Sequence, residues 1–205
     1  VGIIARIGRV GTQRLGLPLA LVRADLADPC LSAHTQTLLT TAVARMEATD
    51  ILVVDRGFRV AALQDAQADR YLARLPQNFT ARRATPPPYR GRGRPATRGV
   101  LVRPLPRTYR GHTIAATAPD AVTTWQEDGT DLRAELWTDL VLPAAAAEAP
   151  TFRVLAIHDP RHPTPLLLAS AVALTPQAAR DLYADRWPVE QLPLAAKQLL
   201  GAERA

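Results

Sequence analysis

The chain has 205 residues, 47% hydrophobic and 21% charged, which excludes a disordered, collagenous or coiled-coil chain and suits one catalytic-sized core with an insertion. Lys and Arg total 25 against 19 acidic residues, and only one of the 25, Lys197, is lysine. The longest uncharged run, Pro163–Ala179, has 17 residues and three prolines, too short and too broken to span a bilayer. No signal-peptide layout opens the sequence, and the single cysteine, Cys30, cannot form an internal disulfide. A cytoplasmic protein without a membrane partner is expected.

Ile3–Ile7 and Leu17–Val22 are apolar runs on either side of the Gly-rich Gly8–Gly16, which predicts two strands and a turn. Leu38, Leu39, Ala42, Val43 and Met46 recur at helical spacing, predicting a helix over about 35–48. Ile51–Val54 is a β-branched run that stops at Asp55 and resembles a strand buried on both faces. A helix over about 59–68 and a strand at Tyr71–Leu75 follow, so the first part alternates strands and helices.

At Thr85 the composition changes. Pro86, Pro87 and Pro88, then Arg90, Arg92 and Arg94 alternating with glycine, can continue neither a helix nor a central strand. Nine arginines and no acid lie between Arg82 and Arg110, whereas outside that stretch 16 basic residues face 19 acidic ones. Such a segment is an electrostatic footprint for a polyanion, and guanidinium groups suit phosphate oxygens. Beyond it, Asp128-Gly129 predicts a hairpin turn between Val122–Gln126 and an alternating strand over Leu132–Leu142, and Phe152–Ile157 predicts another strand. Leu166–Leu174 is a candidate central strand. Thr175 as N-cap and Pro176 at the first helical position open a helix over about 176–185, with a break at Arg186-Trp187 and a further turn from Pro188. The expected layout is a core begun by 1–84, an Arg/Pro-rich and β-rich insertion over 85–162, and a return to the core over 163–205.

The last segment carries Tyr183, Arg186, Glu190 and Lys197 as Tyr-x2-Arg-x3-Glu-x6-Lys. This resembles the YREK signature of bacterial insertion-sequence transposases of the DDE group. The run Ile51–Phe58 with Asp55, followed by a helix and Tyr71–Leu75, resembles that family's second aspartate strand and its Arg-containing strand. The resemblance implies an α/β fold with a ribonuclease H-like mixed sheet flanked by helices and interrupted by a β-rich insertion. It also implies cleavage and strand transfer on DNA at transposon ends and target, by a homodimer when full-length.

Two divalent ions held by carboxylates can stabilise the attacking and leaving oxygens of a phosphodiester. Asp55 and Glu190 are the expected ligands, and an oxygen ligand set favours Mg²⁺ or Mn²⁺. Lys197, two helical turns after Glu190, Arg186 and Tyr183 are expected at phosphates; Arg90, Arg92 and Arg94 are expected DNA contacts. The family's first carboxylate has no counterpart: Asp25 stands too close to Asp55, and the residue is expected just before Val1. On this reading the chain is an incomplete catalytic region. Pro193 also interrupts the helix that would join Glu190 to Lys197. The competing reading is a non-catalytic DNA-binding protein, or a domesticated remnant, that uses segment 82–110. Trp187 is expected as a core anchor, and Trp125 and Trp137 as packing rather than base-stacking residues. His158, Asp159 and His162 read as a turn.

Overall fold

The computed structural model describes residues 2–11, 13–23, 31–89, 91, 93–146 and 148–189. The chain opens with a hairpin, β1 (Gly2–Val10) and β2 (Gln13–Val22), turned at Gly11 with φ +63°. Helix α1 (Leu31–Val43) follows, starting and ending a few residues earlier than the periodicity predicts. Then come β3 (Leu52–Val54), α2 (Val60–Asp65) and β4 (Tyr71–Arg74), a βαβ unit whose two strands are parallel.

The remaining elements are β5 (Ala81–Arg83), β6 (Leu101–Val102), β7 (Arg107–Tyr109), β8 (His112–Ile114), β9 (Ala121–Glu127), β10 (Thr130–Val141), β11 (Phe152–His158), β12 (Leu166–Ser170) and α3 (Pro176–Ala184). One sheet runs in the order β3-β4-β12-β11-β10-β5-β6, with β9 also on β10. Apart from β3–β4, all its pairings are antiparallel. The protein is therefore mixed α/β, with a mostly antiparallel sheet and three helices among the described residues. Strands from segment 85–162 lie inside this sheet rather than beside it: β11 sits between β10 and β12.

Alternation along the central strands feeds two cores. Tyr71, Ala73, Val154, Ala156, Leu167 and Ala169 face one side, where Leu39 of α1 and Val60 and Leu63 of α2 cover them. Leu72, Leu155, Ile157 and Leu168 face the other, against Ala179 of α3. Edge strand β3 contributes to both, but only Val54 is fully buried, so it is less covered than the expected doubly buried strand.

Strand β10 changes face midway. Its register with β11 slips by one residue between Trp137 and Leu140, at Asp139 with φ +51°. Ala134 belongs to one core, Trp137 and Leu140 to the other. Asp120 holds the bulge: its carboxylate accepts from Thr138 N–H at 2.7 Å and from both Arg83 Nη atoms at 2.6 and 2.7 Å. Asp128 and Gly129 both have positive φ, +50° and +72°, the conformation that the tight β9–β10 turn requires.

Helix α3 starts as predicted, with Thr175 Oγ1 accepting from Ala178 N–H at 3.2 Å and Pro176 in the first turn. The break falls at Asp185-Arg186, and a helical turn resumes at 187–189. Trp187 is a correction: it is 61% exposed, because it follows the break and the core contacts of α3 lie earlier, at Ala179, Leu182 and Tyr183. Trp137 is fully buried and donates its indole N–H to Thr117 O and Ala118 O.

Charge also fixes α3. Arg180 reaches back to Asp159 Oδ2 at 3.1 Å and pairs with Glu127, while Arg161 Nε and Nη2 grip the same Asp159 at 2.9 Å each. Chiefly through the Arg161 hydrogen bonds, the Asp159 carboxyl is held well below the ordinary carboxyl range, although burial opposes its ionisation. A carboxyl whose value falls on folding adds stability above its unfolded value, and that stability is lost as pH falls. We therefore expect Asp159→Ala to cost about 2 kcal/mol at neutral pH, the scale of hydrogen bonds to a charged group. In urea titrations the wild-type advantage should be constant above the ordinary value of 3.8 and shrink below it. A pH-independent difference would contradict this account of the clamp.

Candidate functional site

Asp55 follows the last residue of β3, and Arg74 ends the neighbouring parallel strand. Because Val54 pairs with Ala73, the next residue on each strand brings Asp55 and Arg74 side by side at one end of the sheet. The chain turns immediately, with Phe58 N–H donating to Asp55 O at 3.0 Å. Carboxyl ends of strands in an open α/β sheet commonly face a crevice.

Tyr183, on the last turn of α3, reaches the same place. Its hydroxyl donates to Asp55 Oδ1 at 2.8 Å, across 128 residues of sequence. Arg74 Nη1 donates to the Tyr183 hydroxyl at 3.4 Å and lies 3.9 Å from Asp55 Oδ1. Arg186 Nη1 lies 3.9 Å from Asp55 Oδ2, and its guanidinium sits over the Tyr183 ring, 5.1 Å from the centroid. The hairpin contributes from outside: Arg14 pairs with Asp185 at 2.6 Å, beside the break that turns Arg186 toward Asp55.

Burial resists ionisation of Asp55, but the Arg56 N–H, the Tyr183 hydroxyl and the charges of Arg186 and Arg74 outweigh it. The Asp55 carboxyl is thus held below its ordinary value and is a carboxylate at neutral pH. Burial, and then the hydrogen bond to Asp55, raise the Tyr183 phenol, which stays protonated. Among the described residues, the Asp55 carboxylate faces the guanidinium groups of Arg74 and Arg186. The Asp55 and Arg74 side chains, 43% and 41% exposed, are open to a ligand.

The structure brings Tyr183, Arg186 and Asp55 together. Glu190 and Lys197 lie outside the described residues, as do Arg90 and Arg92. Arg94 is exposed in the segment between β5 and β6, at the opposite edge of the sheet from β3. Six strand spacings of about 4.8 Å separate β3 from β6, roughly 29 Å. Of the other arginines in that segment, Arg83 is bound to Asp120 and Arg82 donates to Gly99 O. Arg74 belongs to the strand read as Arg-containing but is not among the residues expected at the site. The signal was present, because parallel pairing of two strands joined by a short helix sets their end residues side by side.

The described residues alone do not make a metal centre: among them no cluster of three or more His, Cys, Asp or Glu could hold an ion. Asp55 can supply one oxygen ligand, but the guanidinium groups beside it favour an anion. His158 instead approaches Glu135 at 3.4 Å, and Asp159 is occupied by arginines.

Tyr183→Phe removes the hydroxyl hydrogen bond and Arg186→Gln removes a neighbouring charge, so each should raise the Asp55 titration midpoint toward the ordinary value. Carboxyl ¹³C titration by NMR reads this directly. An unmoved midpoint in both variants would contradict the arrangement.

Compared with protein-family models, with curated proteins and with solved structures, the chain matches none.

Proposed function

We propose that this chain is the catalytic region of a DNA transposase, which cleaves and rejoins DNA strands at transposon ends in a ribonuclease H-like core. One observation supports the reading above others. Two segments that resemble the family for separate reasons, Ile51–Phe58 and the Tyr183–Arg186 half of the YREK pattern, meet at a single hydrogen bond between Tyr183 and Asp55. Nothing in their sequence separation requires that meeting.

On this reading Arg74 and Arg186 take phosphate oxygens of the reacting strand, and Lys197 takes another. Tyr183 orients the Asp55 carboxylate. Asp55 and Glu190 are the ligands for Mg²⁺ or Mn²⁺, which when bound would stabilise charge on the attacking and leaving oxygens. The chemistry is phosphodiester hydrolysis at the transposon end, followed by attack of the freed 3′-hydroxyl on target DNA. The partner is DNA, the assembly a homodimer when full-length, and the location cytoplasmic.

A second reading, DNA binding without catalysis through segment 82–110, has one observation in its favour: Asp55 is flanked by two arginines rather than by further described carboxylates. Metal-dependent melting separates the two. For the transposase, Mg²⁺ or Mn²⁺ raises the melting temperature of the wild type, and Asp55→Asn or Glu190→Gln each abolishes the rise. Absence of any metal effect, with DNA binding intact, favours the second reading.

Both readings use the basic segment. Log affinity for duplex DNA should fall linearly with log salt, by about 0.9 per phosphate contact. Changing Arg90, Arg92 and Arg94 together to Ala should flatten that slope by up to about three. An unchanged slope removes these residues from the interface.

A further inference from the structure

Strands β7 and β8 pair only with each other and form a two-stranded ribbon outside the main sheet. Arg107 faces Ile114, Thr108 faces Thr113, and Tyr109 faces His112, with the turn made by Arg110 and Gly111 at φ +48° and +78°. Alternation puts Arg107, Tyr109, His112 and Ile114 on one face and the two threonines on the other. Residues 107–113 are all exposed, and Tyr109 is 57% exposed. Its ring carries the Arg110 guanidinium 5.4 Å from the centroid. No acidic residue occurs between Asp69 and Asp120, so every charged side chain of the segment that carries the ribbon is basic.

The ribbon is held at its base. Arg103 N–H donates to Thr117 Oγ1 at 2.9 Å, Thr117 N–H donates to Arg103 O at 2.8 Å, and the buried Trp137 indole donates to the carbonyls of Thr117 and Ala118. An exposed tyrosine and histidine, flanked by arginines on a ribbon pinned to the core, form a preorganised surface with no packing role among the described residues.

We propose that this ribbon is a platform for an unpaired stretch of nucleic acid. One base stacks on the Tyr109 ring, and Arg107 and Arg110 take the flanking phosphates. A paired base shows a groove only its edge, whereas an unpaired base offers the flat π-face that an exposed ring matches. The inference deepens the DNA reading above, and rests on it for the choice of DNA as the strand.

The test is fluorescence anisotropy with an oligothymidylate of about 12 nucleotides, within the span of known single-strand sites, and with a duplex of equal length. Tyr109→Ala should weaken oligothymidylate binding by about five- to 150-fold, the measured range for one base–aromatic stack, and duplex binding by less than about twofold. Tyr109→Phe should bind as the wild type, because the ring and not the hydroxyl makes the contact. Changing Arg107 and Arg110 together to Gln should reduce the single-strand salt slope by up to about 1.4. The proposal is overturned if Tyr109→Ala binds oligothymidylate normally, if it loses duplex binding equally, or if polyglutamate competes as well as oligothymidylate. Oligothymidylate binding is read without divalent metal, so failure of the metal reading and failure of the ribbon are distinct results.

Discussion

Arg180 determines where the C-terminal segment can act. Its guanidinium joins Asp159, at the end of β11, to Glu127, at the β9–β10 turn, and so docks a nine-residue helix that is too short to be stable alone. With α3 fixed, Ala179 fills the second core, and the next turn of the helix projects over the end of β3. Tyr183 and Arg186 meet Asp55 because a charge network some distance away sets the helix axis. Asp159 is therefore a structural acid rather than a ligand, and the cost of burying it is offset by two arginines.

The site has an electrostatic logic. A lone carboxylate at the end of a parallel strand pair would repel a phosphate. Here the Arg74 and Arg186 guanidinium groups flank it, and Tyr183 holds it in one orientation. On the transposase reading, DNA phosphates would draw the arginines away and leave the carboxylate for a cation. Arg94, between β5 and β6, lies at the other edge of the sheet, and the polar ribbon follows β6 in the chain.

Local chemistry was readable in the sequence and long-range pairing was not. Ile51–Val54 ending at Asp55, and Tyr71–Leu75 one helix later, read as two strands joined by a helix, and both strands and the helix form. Thr175-Pro176 announces the start of α3, and Asp128-Gly129 the β9–β10 turn, each by a residue-level mechanism that acts within four residues. The order of the sheet depends on antiparallel partners far apart in sequence, as with β11 between β10 and β12, and no periodicity encodes it. The β10 bulge shows the limit. Even-numbered apolar residues from Leu132 to Leu142 suggest one buried face, yet Trp137 is fully buried on the opposite face and the slip at Asp139 turns Leu140 onto that face too. Trp187 illustrates the same limit, since its size suggests burial and only the break at Asp185-Arg186 turns it outward. Within the site, Asp55, Tyr183 and Arg186 were legible from motifs, and Arg74 required the strand register.

Paramagnetic broadening by Mn²⁺ of ¹³C-carboxyl signals, in protein saturated with a DNA duplex, tests most directly whether Asp55 marks a metal-assisted DNA site. Asp55 should broaden first, at substoichiometric Mn²⁺, while Asp120 and Asp159, whose oxygens are already held by arginines, stay sharp. If Asp55 stays sharp while other carboxylates broaden, no cation is held there and the central claim is wrong.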